Sequence, residues 1–309
     1  MKILDKITDV KKEFPSISIA LGMFDGMHLG HQSIVNRAIE LSKEISGVGA
    51  ALTFKNHPLT IIDKEHAPLA IATSEIRRNV LQDMGVELLI EIPFTKELSR
   101  LSPLDFLALL RDNLAPKYIV VGKNFTFGYG GKGTGKMLVR EGENYGFIAE
   151  ICPTVRNGNK PISSTRIRAL IKDGNLSEVN NFLGRPLSYI GKVISGDKRG
   201  RTIGFPTANL KLDANRAMLP NGAYAAKVKY RDKIYNAIVN IGNNPTFNGK
   251  ETRLEAHILD FSKNIYDENI EIMFLAKLRE EKRFADVEEL KTALKNDIEN
   301  AKKTREFQI

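Results

Sequence analysis

The sequence predicts two successive domains, an α/β domain followed by a small antiparallel β-barrel with a C-terminal helix. A chain of 309 residues is long for a single domain. Strand-like and helix-like segments alternate up to about residue 184, which is typical of a parallel sheet covered by helices. Beyond that point, consecutive strands separated by turns indicate an antiparallel barrel. We therefore predict domains over residues 1–184 and 185–309.

Composition restricts the class of protein. The hydrophobic content of 42% and the charged content of 27% are those of a globular protein. The net charge of +9 predicts an anionic partner, either nucleotide or nucleic acid. The single cysteine excludes a disulfide within the chain and favours a reducing compartment. We find no secretory signal and no apolar run of the roughly 20 residues that a membrane helix needs, so we expect a cytoplasmic protein without membrane association. The oligomeric state stays open.

The apolar patterns of the first domain define its elements in order. A buried strand is expected at Ile17–Leu21, and a helix begins near His31, where apolar residues start to recur at helical spacing. The later elements are strands at Val48–Phe54, Val86–Ile92 and Tyr118–Val121, and helices at Ser74–Met84 and from Pro103 onward. Ligands of such a sheet bind at the carboxyl ends of its strands, so a site is expected just after Leu21.

The turn between the first strand and the first helix is the strongest candidate for a binding site. Gly22 and Gly26 allow the backbone to turn tightly, and Gly30 lets a ligand approach it closely. His28 and His31 flank the helix N-terminus, whose N–H groups and positive potential favour phosphate. Alternatively, the two histidines are ordinary loop residues or zinc ligands, although no Glu or Cys stands nearby at ligand spacing.

The stretch from Gly22 to His31, Gly-x-Phe-Asp-Gly-x-His-x-Gly-His, resembles the signature of the FAD synthetase branch of the nucleotidyltransferase superfamily. The resemblance implies a Rossmann-like nucleotidyltransferase domain that transfers the adenylyl group of ATP to FMN. It also implies that His28 and His31 are catalytic and hold the α-phosphoryl oxygens. The ATP-binding residues it implies in this stretch are Gly22, Phe24, Asp25, Gly26, His28, Gly30 and His31.

A second phosphate site is expected where Ile-Ser-Ser-Thr-Arg-Ile-Arg, residues 162–168, opens a helix. Helix N–H groups, hydroxyls and two arginines converge there, which suits pyrophosphate, although an ordinary N-cap with exposed arginines is the alternative. The same segment resembles the FAD synthetase motif that binds the departing pyrophosphate. The residues implied are Ser163, Ser164, Thr165, Arg166 and Arg168.

Two further segments resemble the flavin-binding parts of the FAD synthetases. Thr53–Pro58 is similar to Thr-Phe-x-Pro-His-Pro, with Asn56 in place of the usual proline, and residues 122–128 are similar to Gly-x-Asn/Asp-Phe-x-Phe-Gly. The aromatic residues of the second segment are alternatively plain core residues. The flavin-binding residues implied in this domain are Phe54, His57, Pro58, Asn124 and Phe127.

The stretch from Gly130 to Lys136 almost matches a P-loop. The following residue is Met137, however, where a P-loop needs Ser or Thr to hold Mg²⁺. We therefore favour a glycine loop that lines the site and keep the P-loop as the alternative.

The second domain is predicted from closely spaced strands and one helix. The hairpin turn at Arg231–Lys233 joins two of these strands. A final helix from Asp286 to about Lys302 carries an apolar stripe and is expected to dock on the barrel. The expected strands are Gly191–Ile194, Ala223–Tyr230, Ile234–Ile241, Leu254–Leu259 and Ile270–Leu278.

A glycine-rich, basic loop over residues 196–209 predicts a second nucleotide site. Oxygens of Thr207 and Asn209 are hard donors that suit Mg²⁺, while an ordinary basic turn is the alternative. The segment Gly-Phe-Pro-Thr-Ala-Asn, residues 204–209, resembles the riboflavin kinase signature. The resemblance implies that ATP is bound by Gly196, Arg199, Gly200, Gly204, Pro206, Thr207 and Asn209, with the last two also holding Mg²⁺.

The same resemblance implies the remaining parts of a kinase site. It gives Glu255 as the catalytic base and Arg279, Glu281 and Phe284 as flavin-binding residues. Glu255 is alternatively a charged residue on the outward face of a strand, and strand alternation does not decide between these possibilities.

Across its whole length the chain resembles the prokaryotic bifunctional riboflavin kinase/FAD synthetase family. The resemblance implies phosphorylation of riboflavin to FMN and adenylylation of FMN to FAD, with ATP as co-substrate and Mg²⁺ as cofactor. The alternatives are that only one module is active, or that the chain binds nucleic acid. Its basic residues cluster with Gly, Ser and Thr rather than with exposed aromatic residues, which favours nucleotide phosphates over nucleic acid.

Overall fold

A computed structural model describes residues 1–196, 204–213, 215–246, 249–282 and 284–304, with backbone alone for 243–246 and 249–252. Its internal contacts divide the chain into two compact units. The first comprises Met1–Ala70 and Ser74–Ser164, and the second comprises Ile71–Thr73 and Thr165–Ile309. This division falls before the helices that precede residue 184, so the domain boundary after that residue stays a prediction from the sequence.

The first unit is built on a parallel sheet of six strands. Their order across the sheet is β1-β4-β3-β2-β5-β8, and every neighbouring pair is parallel. Two short hairpins, β6 with β7 and β9 with β10, accompany the sheet. The strands are β1 Lys2–Leu4, β2 Ile17–Leu21, β3 Val48–Phe54, β4 Leu88–Ile92, β5 Tyr118–Gly122, β6 Thr126–Phe127, β7 Gly133–Thr134, β8 Ile148–Cys152, β9 Arg156–Asn157 and β10 Lys160–Pro161.

Helices connect these strands. A short 3₁₀ turn at Lys64–His66 follows the third helix. The helices are α1 Val10–Glu13, α2 Leu29–Glu44, α3 Leu59–Ile62, α4 Ser74–Asp83, α5 Lys96–Ser99, α6 Pro103–Asn113, α7 Gly135–Tyr145 and α8 Ser164–Lys172, the last of which begins at the end of the first unit.

Both faces of the sheet are covered, so all five residues of β2 are buried, including the polar Ser18. Ile17, Ile19 and Leu21 pack into one apolar cluster with residues of α6. Ala20 points to the opposite face and packs with residues of α2, among them Val35. Because successive side chains of a strand alternate between faces, a strand covered on both sides is mostly apolar. The predicted α/β architecture is confirmed.

The second unit contains a closed antiparallel barrel, whose described strands follow the order β11-β12-β15-β14-β13-β16. Among the described residues, α8 continues into this unit, which also contains α9 Leu176–Leu183 and α10 Val287–Lys302. The strands are β11 Leu187–Ile194, β12 Ala208–Lys211, β13 Gly222–Tyr230, β14 Lys233–Thr246, β15 Gly249–Ile258 and β16 Asn269–Arg279. The predicted barrel and its C-terminal helix are confirmed.

Helix α10 docks on the barrel through apolar and charged contacts. Ala301 is fully buried and packs in one cluster with Ala225, Ile238 and Leu275. Asp297 is also buried and accepts hydrogen bonds from the Arg279 guanidinium, with the Nη2–Oδ2 distance at 2.9 Å. The pairing satisfies a carboxylate that would otherwise be costly to bury.

Within the described ranges, no helix is both long enough and apolar enough to cross a bilayer. The cytoplasmic location remains a prediction from composition.

A buried ion cluster ties the carboxyl ends of three neighbouring strands of the first unit. Glu91 of β4 is fully buried and bonded to both Arg77 and Arg78 of α4. The Arg77 guanidinium also donates to the carbonyl oxygens of Phe54 at 3.1 Å and of Met23 at 3.4 Å. Burial acts to raise the pKa of the Glu91 carboxyl, but the hydrogen bonds and charges of the two arginines outweigh it and hold that pKa below its ordinary value.

We expect the substitution Glu91→Gln to lower the free energy of unfolding by about 3–5 kcal/mol, because it leaves the buried Arg77 charge without its carboxylate. The stabilisation by Glu91 is present above the unfolded carboxyl pKa of about 4.3 and is lost as pH falls through the lower native pKa. Denaturant unfolding between pH 3 and pH 7, on the order of one measurement per half unit, tests both statements. The control is Glu143→Gln on the exposed side of α7, expected to change stability by less than about 0.5 kcal/mol at neutral pH. Equal effects of the two substitutions would contradict the assignment.

Candidate active sites

The first candidate site lies at the carboxyl end of β2, where the strand order of the sheet reverses. β2 pairs with β3 on one side and with β5 on the other. In an open α/β sheet, the crevice for a ligand forms at such a switch point. The turn of residues 22–28 leads from β2 into α2, so the predicted motif occupies this position.

His28 and His31 lie at the first turn of α2. His28 is its N-cap, and its Nδ1 accepts a hydrogen bond from the His31 backbone N–H at 3.2 Å. The two imidazole rings are stacked, with centroids 3.7 Å apart and planes 18° from parallel. Because Nδ1 of His28 is an acceptor, the proton of the neutral ring is on Nε2. The turn therefore combines a helix N-terminus with an imidazole donor, which suits an anionic ligand.

The turn before these histidines contains two residues in the left-handed region of backbone conformation. Phe24 has a φ of 50° and Met27 a φ of 46°, and both side chains are fully buried. The Phe24 ring meets His31 edge to face at 5.5 Å, and a Cβ at Gly22 would approach this ring to 2.8 Å. Non-glycine residues at positive φ store strain and are concentrated at functional sites. The buried Phe24 ring therefore helps to fix the position of His31.

This turn opens onto a cavity of about 890 Å³ that lies within the first unit. A cavity of this size is large enough for a drug-sized ligand. The predicted site residues that line it are Gly22, Phe24, His28, Gly30, His31, Phe54, Pro58, Asn124, Phe127, Ser163 and Ser164.

Several apolar residues of the cavity wall were missed in the sequence. Phe94 lies two residues beyond the end of β4, so the rule on carboxyl ends of strands could have identified it. Tyr129 is 58% exposed and stands directly before the glycine loop that was predicted to line the site. The missed part of the apolar wall includes Ile62, Phe94, Leu98, Phe106 and Tyr129, and it adjoins Phe125 of the segment that was predicted to bind flavin.

Three predicted residues of the first unit stand outside the residues that line the cavity. His57 uses its Nδ1 to accept a hydrogen bond from the Leu59 backbone N–H at 3.2 Å, at the start of α3. The carbonyl oxygen of Asp25 accepts a hydrogen bond from the Ser164 hydroxyl at 3.1 Å, and Gly26 follows with a φ of 80°. Asp25 and Gly26 therefore shape the turn, and a direct contact of either with ATP stays a prediction.

The segment predicted to hold pyrophosphate divides between the two units. Ser163 and Ser164 line the cavity. Thr165, Arg166 and Arg168 are grouped with the second unit. Within that unit Arg166 lies 3.6 Å from a carboxylate oxygen of Glu178. The contact of these three residues with pyrophosphate stays a prediction from the sequence.

The second candidate site is on the outer face of the barrel. Leu254 and Ala256 are fully buried, so Glu255 between them faces away from the core. Its side chain is 30% exposed, and one carboxylate oxygen lies 3.5 Å from the Arg253 guanidinium. Asn209 of β12 stands directly opposite Glu255 in the antiparallel pair of β12 with β15. Opposite residues share a face, so the structure brings these two predicted residues together.

Asn209 is well placed to receive a ligand. It is 7% exposed, and its buried Oδ1 has no hydrogen-bond partner among the residues that the structure describes. Gly196 lies against it, since a Cβ at that position would overlap with the Asn209 side chain. A buried acceptor of this kind needs a partner, and a cation or a donor group of a ligand would supply one.

The loop before Asn209 is only partly described. Arg199 and Gly200 lie outside the described residues. Gly204 has a φ of 86°, which suits glycine, and the carbonyl oxygen of Pro206 is bonded to the His257 ring at 2.9 Å. The ATP contacts predicted for Gly196, Gly204, Pro206 and Thr207 stay predictions.

The residues predicted to hold flavin on the barrel have partners within the protein. The Arg279 guanidinium pairs with Asp297 and lies 5.3 Å from the centroid of the Phe284 ring. Glu281 accepts a hydrogen bond from the Asn221 amide at 2.7 Å. Flavin binding by Arg279, Glu281 and Phe284 stays a prediction, and the structure adds that Arg279 anchors α10.

A parallel sheet that is covered on both faces and has two stacked histidines at its switch point is typical of a nucleotide-binding protein. Here it is followed by a closed antiparallel barrel. Comparison with known proteins identifies both parts. The FAD synthetase family matches residues 10–166, and the riboflavin kinase family matches residues 183–305. The chain belongs to the bifunctional riboflavin kinase/FMN adenylyltransferase family.

Relatives confirm this over nearly the full length. The bifunctional riboflavin kinase/FMN adenylyltransferase of Bacillus subtilis is 33% identical over 296 residues, covering 94% of this chain and 93% of the relative. That of Escherichia coli K12 is 33% identical over 282 residues, covering 90% of each. A crystal structure from Streptococcus pneumoniae described as a macrolide-efflux protein shares the fold, with a TM-score of 0.86, 34% identity and 98% coverage of both chains.

The chain therefore carries two transferase activities. It phosphorylates riboflavin to FMN and transfers the adenylyl group of ATP to FMN, giving FAD. The expectation of one bifunctional enzyme is confirmed, and the alternatives of a single active module and of a nucleic-acid-binding protein are not supported.

Proposed function

We propose that adenylyl transfer takes place in the cavity at the carboxyl end of β2, with ATP phosphates at the histidines and FMN along the aromatic wall. The main support is the stacked His28–His31 pair at the N-terminus of α2. This pair lines a cavity whose wall also includes Phe54 and Phe127. Its polar end suits phosphate, and its apolar part suits a planar ring system. Pro58 and Asn124 are assigned to the flavin end, where the Asn124 amide can orient the ring.

The reaction at this site needs no protein nucleophile. An oxygen of the FMN phosphate attacks the α-phosphorus of ATP, the bond to the β-phosphate oxygen breaks, and pyrophosphate leaves. His28 and His31 hold the α-phosphoryl oxygens, while Ser163 and Ser164 hold the departing pyrophosphate. The Nε2–H of His28 donates to the oxygen on which negative charge accumulates. Catalysis then consists of positioning and charge stabilisation.

We assign riboflavin phosphorylation to the outer face of the barrel around Glu255. The Glu255 carboxylate accepts the proton of the ribityl hydroxyl, whose oxygen attacks the γ-phosphorus of ATP while ADP leaves. The pairing of Glu255 with Asn209 across β12 and β15 supports this assignment, because it places a base beside an amide oxygen without a described partner. Phosphoryl transfer otherwise depends on positioning and charge neutralisation.

Mg²⁺ is assigned to the oxygens of Asn209 and Thr207. The buried Oδ1 of Asn209 is a hard oxygen donor that fits Mg²⁺, and waters and substrate phosphates would complete the coordination. When bound, the ion neutralises charge on the ATP phosphates.

We expect Asn209→Ala to raise the Mg²⁺ concentration for half-maximal riboflavin phosphorylation by at least about tenfold, because the ion loses a protein ligand. FMN adenylylation on the same preparation is the internal control, and its Mg²⁺ dependence should not change. Titration of Mg²⁺ into metal-free protein, with FMN and FAD separated by chromatography, measures both. An unchanged kinase titration would remove Asn209 from the metal site.

A further inference from the structure

Asn56, two residues beyond the end of β3, makes a closed pair of hydrogen bonds with one distant residue. Its Oδ1 accepts from the backbone N–H of Phe94 at 2.9 Å, and its Nδ2 donates to the backbone carbonyl of Phe94 at 3.1 Å. The β3–β4 pairing extends beside it, since the Lys55 N–H donates to the Ile92 carbonyl at 2.9 Å. Phe94 lies beyond the last residue of β4. The Asn56 amide therefore satisfies the backbone N–H and C=O of Phe94 in place of a neighbouring strand.

Phe94 is part of the cavity wall. Its ring meets the ring of Phe54 edge to face, with centroids 5.0 Å apart and planes at 69°. Both rings are half-buried and both line the cavity. An aromatic pair with one side in the cavity keeps its orientation only if its backbone is held, and Asn56 holds the Phe94 end.

We propose that Asn56 is a positioning residue for FMN, acting through Phe94 on the aromatic wall of the adenylyltransferase cavity. This inference rests on the proposed function, which puts the flavin ring along that wall. Loss of the amide frees the Phe94 backbone, and the Phe54–Phe94 wall then adopts several arrangements. Binding of a flat ring weakens, whereas the phosphate end at His28 and His31 keeps its geometry.

The test measures FAD formation from FMN and ATP by the full chain. We expect Asn56→Ala to raise KM for FMN about five- to twentyfold, since each neutral hydrogen bond is worth about fivefold in an equilibrium. KM for ATP and the rate at saturating FMN should stay within about twofold. Asn56→Asp keeps the acceptor for the Phe94 N–H and loses the donor, so it should raise KM for FMN by a smaller factor.

Two controls separate positioning from general destabilisation. Asn144→Ala removes an exposed amide that contacts Glu141 at 3.4 Å on α7, and it should change no kinetic constant. Riboflavin phosphorylation, measured on every variant, reports the integrity of the second unit. If the Asn56→Ala protein does not fold, Asn56→Asp carries the test with the same readouts.

A double-mutant cycle with Phe94→Ala tests the route of the effect. If Asn56 acts through the Phe94 ring, adding Asn56→Ala to Phe94→Ala should raise KM for FMN no further. If the factors by which the two single substitutions raise KM for FMN multiply in the double variant, the proposal is wrong. Equal increases in KM for FMN and for ATP would also overturn it. If Phe94→Ala raises KM for FMN and Asn56→Ala does not, Asn56 is not a positioning residue, whereas the proposed location of the flavin stands. If Phe94→Ala leaves KM for FMN unchanged, the flavin location in the proposed function fails with it.

Discussion

Replacing both His28 and His31 by alanine is expected to lower FAD formation from FMN by at least about 10²-fold and to leave riboflavin phosphorylation unchanged. Removal of a single preorganised donor to a developing charge typically lowers the rate by roughly 10²–10³-fold. The two stacked rings are at the N-terminus of α2, and both belong to the first unit. Glu255 and Asn209 belong to the second unit, so the kinase step keeps its machinery. Separate assays from riboflavin and from FMN measure the two rates.

His28 also caps α2, so its loss costs helix stability of about 1 kcal/mol. His28→Asn is the variant that separates the two roles, because asparagine caps a helix well but offers no imidazole. It should remain folded and lose FAD formation. His66→Ala is the matched control, since that histidine is exposed and pairs with Asp63 in the same unit. Loss of kinase activity in the folded His28→Ala, His31→Ala protein would contradict the assignment of the two reactions to two different sites.

Glu255→Gln is expected to lower riboflavin phosphorylation by about 10²–10⁴-fold, the contribution of a general base. Glutamine keeps the size of the side chain and its place beside Asn209 but cannot accept the ribityl proton. FAD formation from supplied FMN should continue at the parent rate. Steady-state rates of both half-reactions on one preparation decide the matter.

The matched control for Glu255→Gln is Glu268→Gln in the same unit. Glu268 pairs with Arg231 on the surface, 3.1 Å between oxygen and nitrogen, so its neutralisation should change both rates by less than about twofold. A kinase rate equal to that of this control would remove Glu255 from the mechanism and leave it an ordinary charged residue of the outer barrel face.

The central strands of the sheet were predictable because they are buried on both faces. Ile17–Leu21 and Val48–Phe54 have the same bounds in the sequence reading and in the structure. β1 and β8 were missed, since they form the edges of the sheet. β8 is half exposed and includes Ile148 at 59%, so its residues show no clear alternation. Strand prediction from burial therefore works best where burial is complete.

The motif at the first site was predictable because its parts are adjacent in sequence. Gly22 to His31 form one turn, and local spacing alone brings them to the end of β2. The Asn56–Phe94 bonds join residues 38 apart, and the Arg77–Glu91 pair spans two elements. Such long-range contacts depend on which strands become neighbours in the sheet, and a single sequence does not show the strand order. In the barrel, β12 was read only as part of a phosphate loop, so the pairing of Asn209 with Glu255 was not foreseen.

The central claim is that two separate sites on one chain carry out the two steps, and a mixing experiment tests it most directly. The His28→Ala, His31→Ala protein should turn riboflavin into FMN and stop there. The Glu255→Gln protein should make FAD from FMN but little from riboflavin. Mixed together with riboflavin, ATP and Mg²⁺, the two proteins should form FAD, because FMN released by the first is the substrate of the second. Failure of the mixture to form FAD, with each protein active in its own half-reaction, would contradict the claim that the two sites work independently.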